Sequence, residues 1–162
     1  MAVLRYLYVV ALVLWVGGLV VAGALVAPSV FSVLEAWNAS QGRVLAGRVF
    51  GEVLLRLTWL SYAMGGIMFI ALTLHRLLGA RPVRYGIRVG IMGVMLVMMM
   101  VTGFWLIPQV DAIQAEVAGP VAELPDTDPR RAEFNRLHGL SNLLFSITAI
   151  GGLVLCWWET RE

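Results

Sequence analysis

The chain has 162 residues, of which 60% are hydrophobic and 14% charged, and its mean hydropathy is +0.84. Soluble domains carry about 25% charged residues, so this is the composition of an integral membrane protein, and its length suits a single domain. A net charge of +2 excludes a basic nucleic-acid binder; all basic residues are arginine, which removes lysyl chemistry, and one cysteine, Cys156, leaves no intramolecular disulfide and no cysteine-built metal site.

The first apolar stretch runs from about Tyr6 to Ala27, close to the ~20 residues a bilayer requires. It exceeds the ~7–15 apolar residues of a signal peptide, and its end, Leu25-Val26-Ala27 before Pro28, is a poor cleavage site. The span is therefore expected to be retained. Trp15 lies near its centre beside Gly17 and Gly18. A buried indole N–H wants a partner, so these three residues either pack on one another or line a cavity. Pro28 marks the exit from the bilayer. SVFSVLEAW keeps helical spacing, and NASQG (Asn38 to Gly42) reads as a turn.

From Arg43 a helical pattern runs into the second span, about Leu57 to Leu74. Arg48, Glu52 and Arg56 stand four apart, which predicts an ion ladder on one face. Such a ladder is ordinarily solvated surface. Met64 and Met68 share a face, and His75 closes the span beside Arg76. The link at 75–88 holds Arg76, Arg81, Arg84 and Arg88 with no acid.

The third span covers about Val89 to Ile107. Met92, Met95 and Met99 follow helical spacing. Thioethers suit Cu(I), although they more often fill apolar gaps. Small pairs four apart (Gly18 and Ala22, Ser61 and Gly65, Gly86 and Gly90) predict close helix packing. Pro108 follows, and QVDAIQAEVA extends the helix. The 108–136 segment holds Asp111, Glu116, Glu123, Asp126, Asp128 and Glu133. Asp128 reads as an N-cap with Pro129 as the first helical residue. The fourth helix then carries roughly 15 Å of extramembrane length before its span, about Gly139 to Trp158.

These elements predict an all-α, four-span antiparallel bundle. Arginine placement puts both termini and the 75–88 link on the cytoplasmic side. All four helices should extend outward into a polar crown. No ionisable residue occupies a span centre, which argues against an ion-coupled transporter or proton pump.

His138, Ser141 and Asn142 share a helix face below Arg136. With Arg48 and Glu52 they form the candidate ligand site at the outer mouth, and His138 is the candidate metal donor. Haem or copper is the cofactor chemistry considered. The bland alternative is an interfacial histidine bonded to a neighbouring helix. His75 cannot share one haem with His138, because the two lie at opposite ends of ~30 Å of hydrocarbon. The function expected is a non-enzymatic binding protein. Alternatives are an accessory or assembly subunit, docking a membrane protein or a second copy of the chain, and an enzyme or carrier for a lipid-soluble substrate.

The stretches LWVGGLVVAGALVAPSVF, GRVFGEVLLRLTWL and DPRRAEFNRLHGLSNLL together resemble a bacterial domain-of-unknown-function family related to eukaryotic transmembrane protein 205. The matching positions are Trp15, Gly17, Gly18, Pro28, Phe31, Gly47, Arg48, Phe50, Arg136, His138 and Ser141. The resemblance implies four spans and a long outer segment before the last. It implies no reaction. A looser similarity in size and span count reaches copper-resistance membrane proteins and four-helix haem-binding oxidases, at fold level alone.

Overall fold

The four apolar stretches fold as four long helical rods in the computed structural model, which describes residues 2–79, 84–117 and 119–161, with the backbone alone for Ser40. Arg81 of the basic link lies outside the described residues. The first rod is α1 (Ala2–Val21), a π-helical turn (Ala22–Val26) and α2 (Ala27–Trp37). The second is α3 (Ala39–Leu78). The third repeats the first: α4 (Tyr85–Val101), a π-helical turn (Thr102–Leu106) and α5 (Ile107–Glu116). The fourth is α6 (Pro129–Glu159). All four are long and apolar enough to cross a membrane. The 40 residues of α3 make a rod of roughly 60 Å, far longer than the hydrocarbon it would cross.

Local chemistry sets the ends. Asn38 is extended (φ −156°, ψ 116°), and its side-chain oxygen accepts a hydrogen bond from the Gln41 N–H at 2.9 Å. The expected five-residue turn is thus one residue, with the helix resuming at Ala39. Gly42 permits this, because a Cβ there would collide with the Leu34 carbonyl group. Asp128 caps α6 by accepting from the Arg130 N–H at 2.9 Å, and Pro129 follows as the first helical residue, as the sequence predicts.

The two π turns have one cause. Pro28 and Pro108 lack an N–H and crowd the carbonyl four residues back. The ladder widens just before each: the Ala27 N–H bonds to the Ala22 carbonyl, and the Ile107 N–H to the Thr102 carbonyl. The rods therefore continue past each proline instead of ending there.

α1 packs on α3 and α6, and α4 packs on the same two helices. The bundle is a square of antiparallel neighbours, with the second and fourth rods at opposite corners. Its two hairpins are near copies. Tyr8, Leu12, Trp15, Leu19 and Ala22 are buried on the first rod; Arg88, Met92, Met95, Met99 and Thr102 are buried on the third at a constant offset. On the second and fourth rods Leu57, Ser61, Gly65 and Met68 correspond likewise to Leu144, Thr148, Gly152 and Leu155. The contacts obey the same correspondence. A Cβ on Gly65 would meet Leu96 and Trp15; one on Gly152 would meet Val16 and Met95. Ser61 donates to the Leu57 carbonyl at 2.8 Å, and Thr148 to the Leu144 carbonyl at 2.9 Å. The halves are thus related by a pseudo-twofold axis through the bundle.

Candidate functional site

The residues expected at the outer mouth come from two elements. α3 carries Arg48 and Glu52; α6 carries Arg136, His138, Ser141 and Asn142. Arg48, Glu52, Arg136, His138 and Asn142 are exposed, and Ser141 is half-buried. Because α3 and α6 occupy opposite corners, the two groups form separate patches. Among the described residues no hydrogen bond or ion pair joins them. Glu52 pairs with Arg56 at 2.9 Å, so only the lower rung of the expected ladder forms. Arg136 lies 3.6 Å from Glu133. The His138 ring stacks in parallel on Phe134, centroids 5.9 Å apart and planes 4° from parallel.

This donor set does not suit a held haem or copper ion. His138 is a single exposed imidazole, and no group of three His, Cys, Asp or Glu is gathered among the described residues. His75 lies in the last turn of α3, at the other end of the bundle. Met68, Met92, Met95 and Met99 are buried within the apolar core.

Around the patches the crown is held by short ion pairs. Glu35 accepts from Arg43 at 2.7 Å across the α2–α3 break, and this bond lowers the Glu35 pKa. Arg131 pairs with Asp126 and donates to the Leu124 carbonyl at 2.6 Å, pinning the loop before α6. The Arg130 side chain and backbone N–H hold the Asp128 carboxyl below its ordinary value. Burial pushes the Asp111 carboxyl up.

Trp15 is fully buried, and its indole nitrogen has no hydrogen-bond partner. Its ring lies against Gly65. A Cβ on Gly17 would meet nothing within 4 Å, whereas Gly18 packs under Leu57 and lines a shallow groove between α1 and α3. A larger groove of about 460 Å³ lies between α4 and α6. Neither groove is lined by Trp15.

A charged cluster absent from the sequence expectations sits at the other end. Arg88 is 3% exposed and its guanidinium donates to the Glu159 carboxylate. Arg5 approaches the same carboxylate at 3.5 Å, and Arg88 lies 5.9 Å over the Tyr8 ring. The cluster ties α1, α4 and α6. Its signal was present in the sequence: Arg88 stands four residues before Met92, so the methionine stripe carries it into the core.

Residues 10–118 match the family described as a domain of unknown function, DUF4149. The chain belongs to that family. The DUF4149 match takes in the first three rods, with Trp15, Gly17, Gly18, Arg48 and Glu52, and ends before α6. Arg136, His138, Ser141 and Asn142 thus lie beyond it. Searches of curated proteins and of solved structures returned no match.

Proposed function

We propose that this multi-pass DUF4149 protein is a non-enzymatic accessory subunit of a bacterial inner-membrane complex. Its outer end docks an extramembrane segment of a partner membrane protein. The carrying observation is that, among the described residues, α2 and α5, the continuations of the first and third rods, only half-bury their inner faces, Phe31 against Phe50 and Val110 and Ile113 against the Leu106 cluster. They leave Val33 and Trp37 exposed at 66% and 72%. Ordered helix whose other face stays apolar and exposed is surface available to another molecule. The two patches, Arg48 with Glu52 and Arg136 with His138, Ser141 and Asn142, flank this surface and supply polar contacts around it.

In this reading the spans are about 6–27, 57–74, 89–107 and 139–158, and that end lies outside the cell. Arg5, Arg76, Arg84 and Arg88 cluster at the opposite end, which the positive-inside rule assigns to the cytoplasm together with both termini. The relation to transmembrane protein 205 belongs to this reading as well, carried by the Trp15–Gly18 and Arg136–Ser141 runs.

The test is a photo-crosslinking amino acid at Trp37, with one at Leu77 as the opposite-end control. Outer-end adducts to a membrane protein are expected, and they should weaken in Arg48→Ala/Arg136→Ala. A monodisperse particle without adducts overturns the proposal. So does purified protein carrying a metal or a Soret band that His138→Ala abolishes, which would return His138 to a cofactor role.

A further inference from the structure

The correspondence between the two hairpins changes character at the arginine-rich end of α4 and α6. Where the first hairpin has Val10 and Met64, the second has Gly90 and Gly151. The missing side chains open the lateral groove of about 460 Å³, walled by Ile87, Ile91, Val94, Ile147 and Ile150. Where the first hairpin has Leu4 and Ala71, the second has Arg84 and Trp158. Arg84 is exposed, and its guanidinium lies 5.5 Å over the Trp158 ring.

Trp158 follows Gly151 by seven residues, so it lies on the same face of α6 as the groove wall, and Arg84, the residue before α4, is held beside it through the Trp158 ring. The result is an apolar slot, open to the side of the bundle, with a cation at its mouth. Arg84 also holds an uncommon backbone conformation, φ 55°, from which its carbonyl accepts the N–H groups of Ile87 and Arg88. That geometry sets the backbone at the start of α4.

We infer that this groove is a binding site for one anionic phospholipid of the adjoining leaflet. An acyl chain lies between α4 and α6, and the headgroup phosphate pairs with Arg84. The wall chemistry matches the chain, the arginine matches the phosphate, and Trp158 sits at the depth where aromatic rings meet headgroups.

The test uses the full chain in micelles of equal phosphatidylglycerol and phosphatidylcholine, with bound lipid counted by native mass spectrometry. Wild type is expected to retain phosphatidylglycerol about fivefold over phosphatidylcholine, the factor one arginine supplies at an anionic surface. Arg84→Gln should retain both lipids equally. Gly90→Leu should retain little of either, and its fold is protected because a Cβ at Gly90 meets nothing within 4 Å. Equal retention of the two lipids by wild type overturns the inference. So does unchanged occupancy in Gly90→Leu, or a lipid-free dimer that Gly90→Leu dissociates, which would give the groove to a second copy.

Discussion

Arg88 shows how one residue changes meaning between a sequence and a bundle. By position it belongs to a basic link; by helical phase it points with Met92 into the interior. A buried guanidinium is tolerated only with a partner, and Glu159 provides it with a side chain 9% exposed. Removing one partner of such a pair costs about 3–5 kcal/mol. Glu159→Ala should therefore lower the melting temperature in detergent sharply. The double replacement Arg88→Met/Glu159→Leu should recover most of that loss, since apolar replacement of a buried pair is often neutral. A Glu159→Ala protein melting with wild type would show that the pair contributes nothing. Asp128 is the half-buried counterpart at the start of α6. Its pKa is lowered by Arg130, so its contribution is complete above the unfolded value of about 3.9. That contribution is lost as pH falls through the lower folded value. Amide-exchange protection of the first turn of α6 should stay constant from pH 7 to 5 and decline only below about pH 4; Asp128→Ala should exchange fast throughout.

Helix ends divide into those that local chemistry fixes and those that packing fixes. The α6 start was legible because an acidic cap before proline acts within three residues. The single-residue break at Asn38 was not, since it depends on α2 and α3 touching backbone to backbone at Gly42. Gly42→Ala should thus be disproportionately damaging for a glycine-to-alanine change within a helix. Its Cβ meets backbone that cannot rotate away, so at least the 1–3 kcal/mol typical of overpacking is expected, about that range or above. Urea unfolding in mixed micelles would measure it, and a stability equal to wild type would contradict the crossing geometry. Pro28 and Pro108 predicted a disturbance, and their helical flanks predicted continuity. The π turns satisfy both, a solution the residue pattern alone does not select. The candidate site was legible in its members but not in its grouping. Hydropathy places Arg48 and His138 at the same end; it does not say that their helices stand at opposite corners.

At the scale of the whole molecule, the four spans and their antiparallel order follow from length, apolar content and the short 75–88 connection. The repeat within them was harder to see. It resides in burial and contact, with Trp15 standing for Met95 and Ser61 for Thr148, so residue identity is mostly lost. Symmetry predicts that Gly65 and Gly152 fail in related ways but by different amounts. Alanine at Gly65 would come within 2.5 Å of the terminal Leu96 Cδ2, which can rotate aside. Alanine at Gly152 would collide with Val16, a β-branched side chain with few rotamers. Gly152→Ala should lose about 1–3 kcal/mol and Gly65→Ala distinctly less, as read from paired thermal melts. Equal losses would mean that the two positions are not distinguished by their neighbours.

The pseudo-twofold axis also bears on what each half can carry. A two-helix hairpin that packs on its own copy makes this bundle, with every feature present twice or not at all. Fusing the copies into one chain removes that restriction. One half can keep Leu4, Val10 and Met64 as plain packing while the other changes to Arg84, Gly90 and Gly151. In this chain the second hairpin carries the charge of Arg84 and the gap at Gly90 and Gly151 where the first has Leu4, Val10 and Met64.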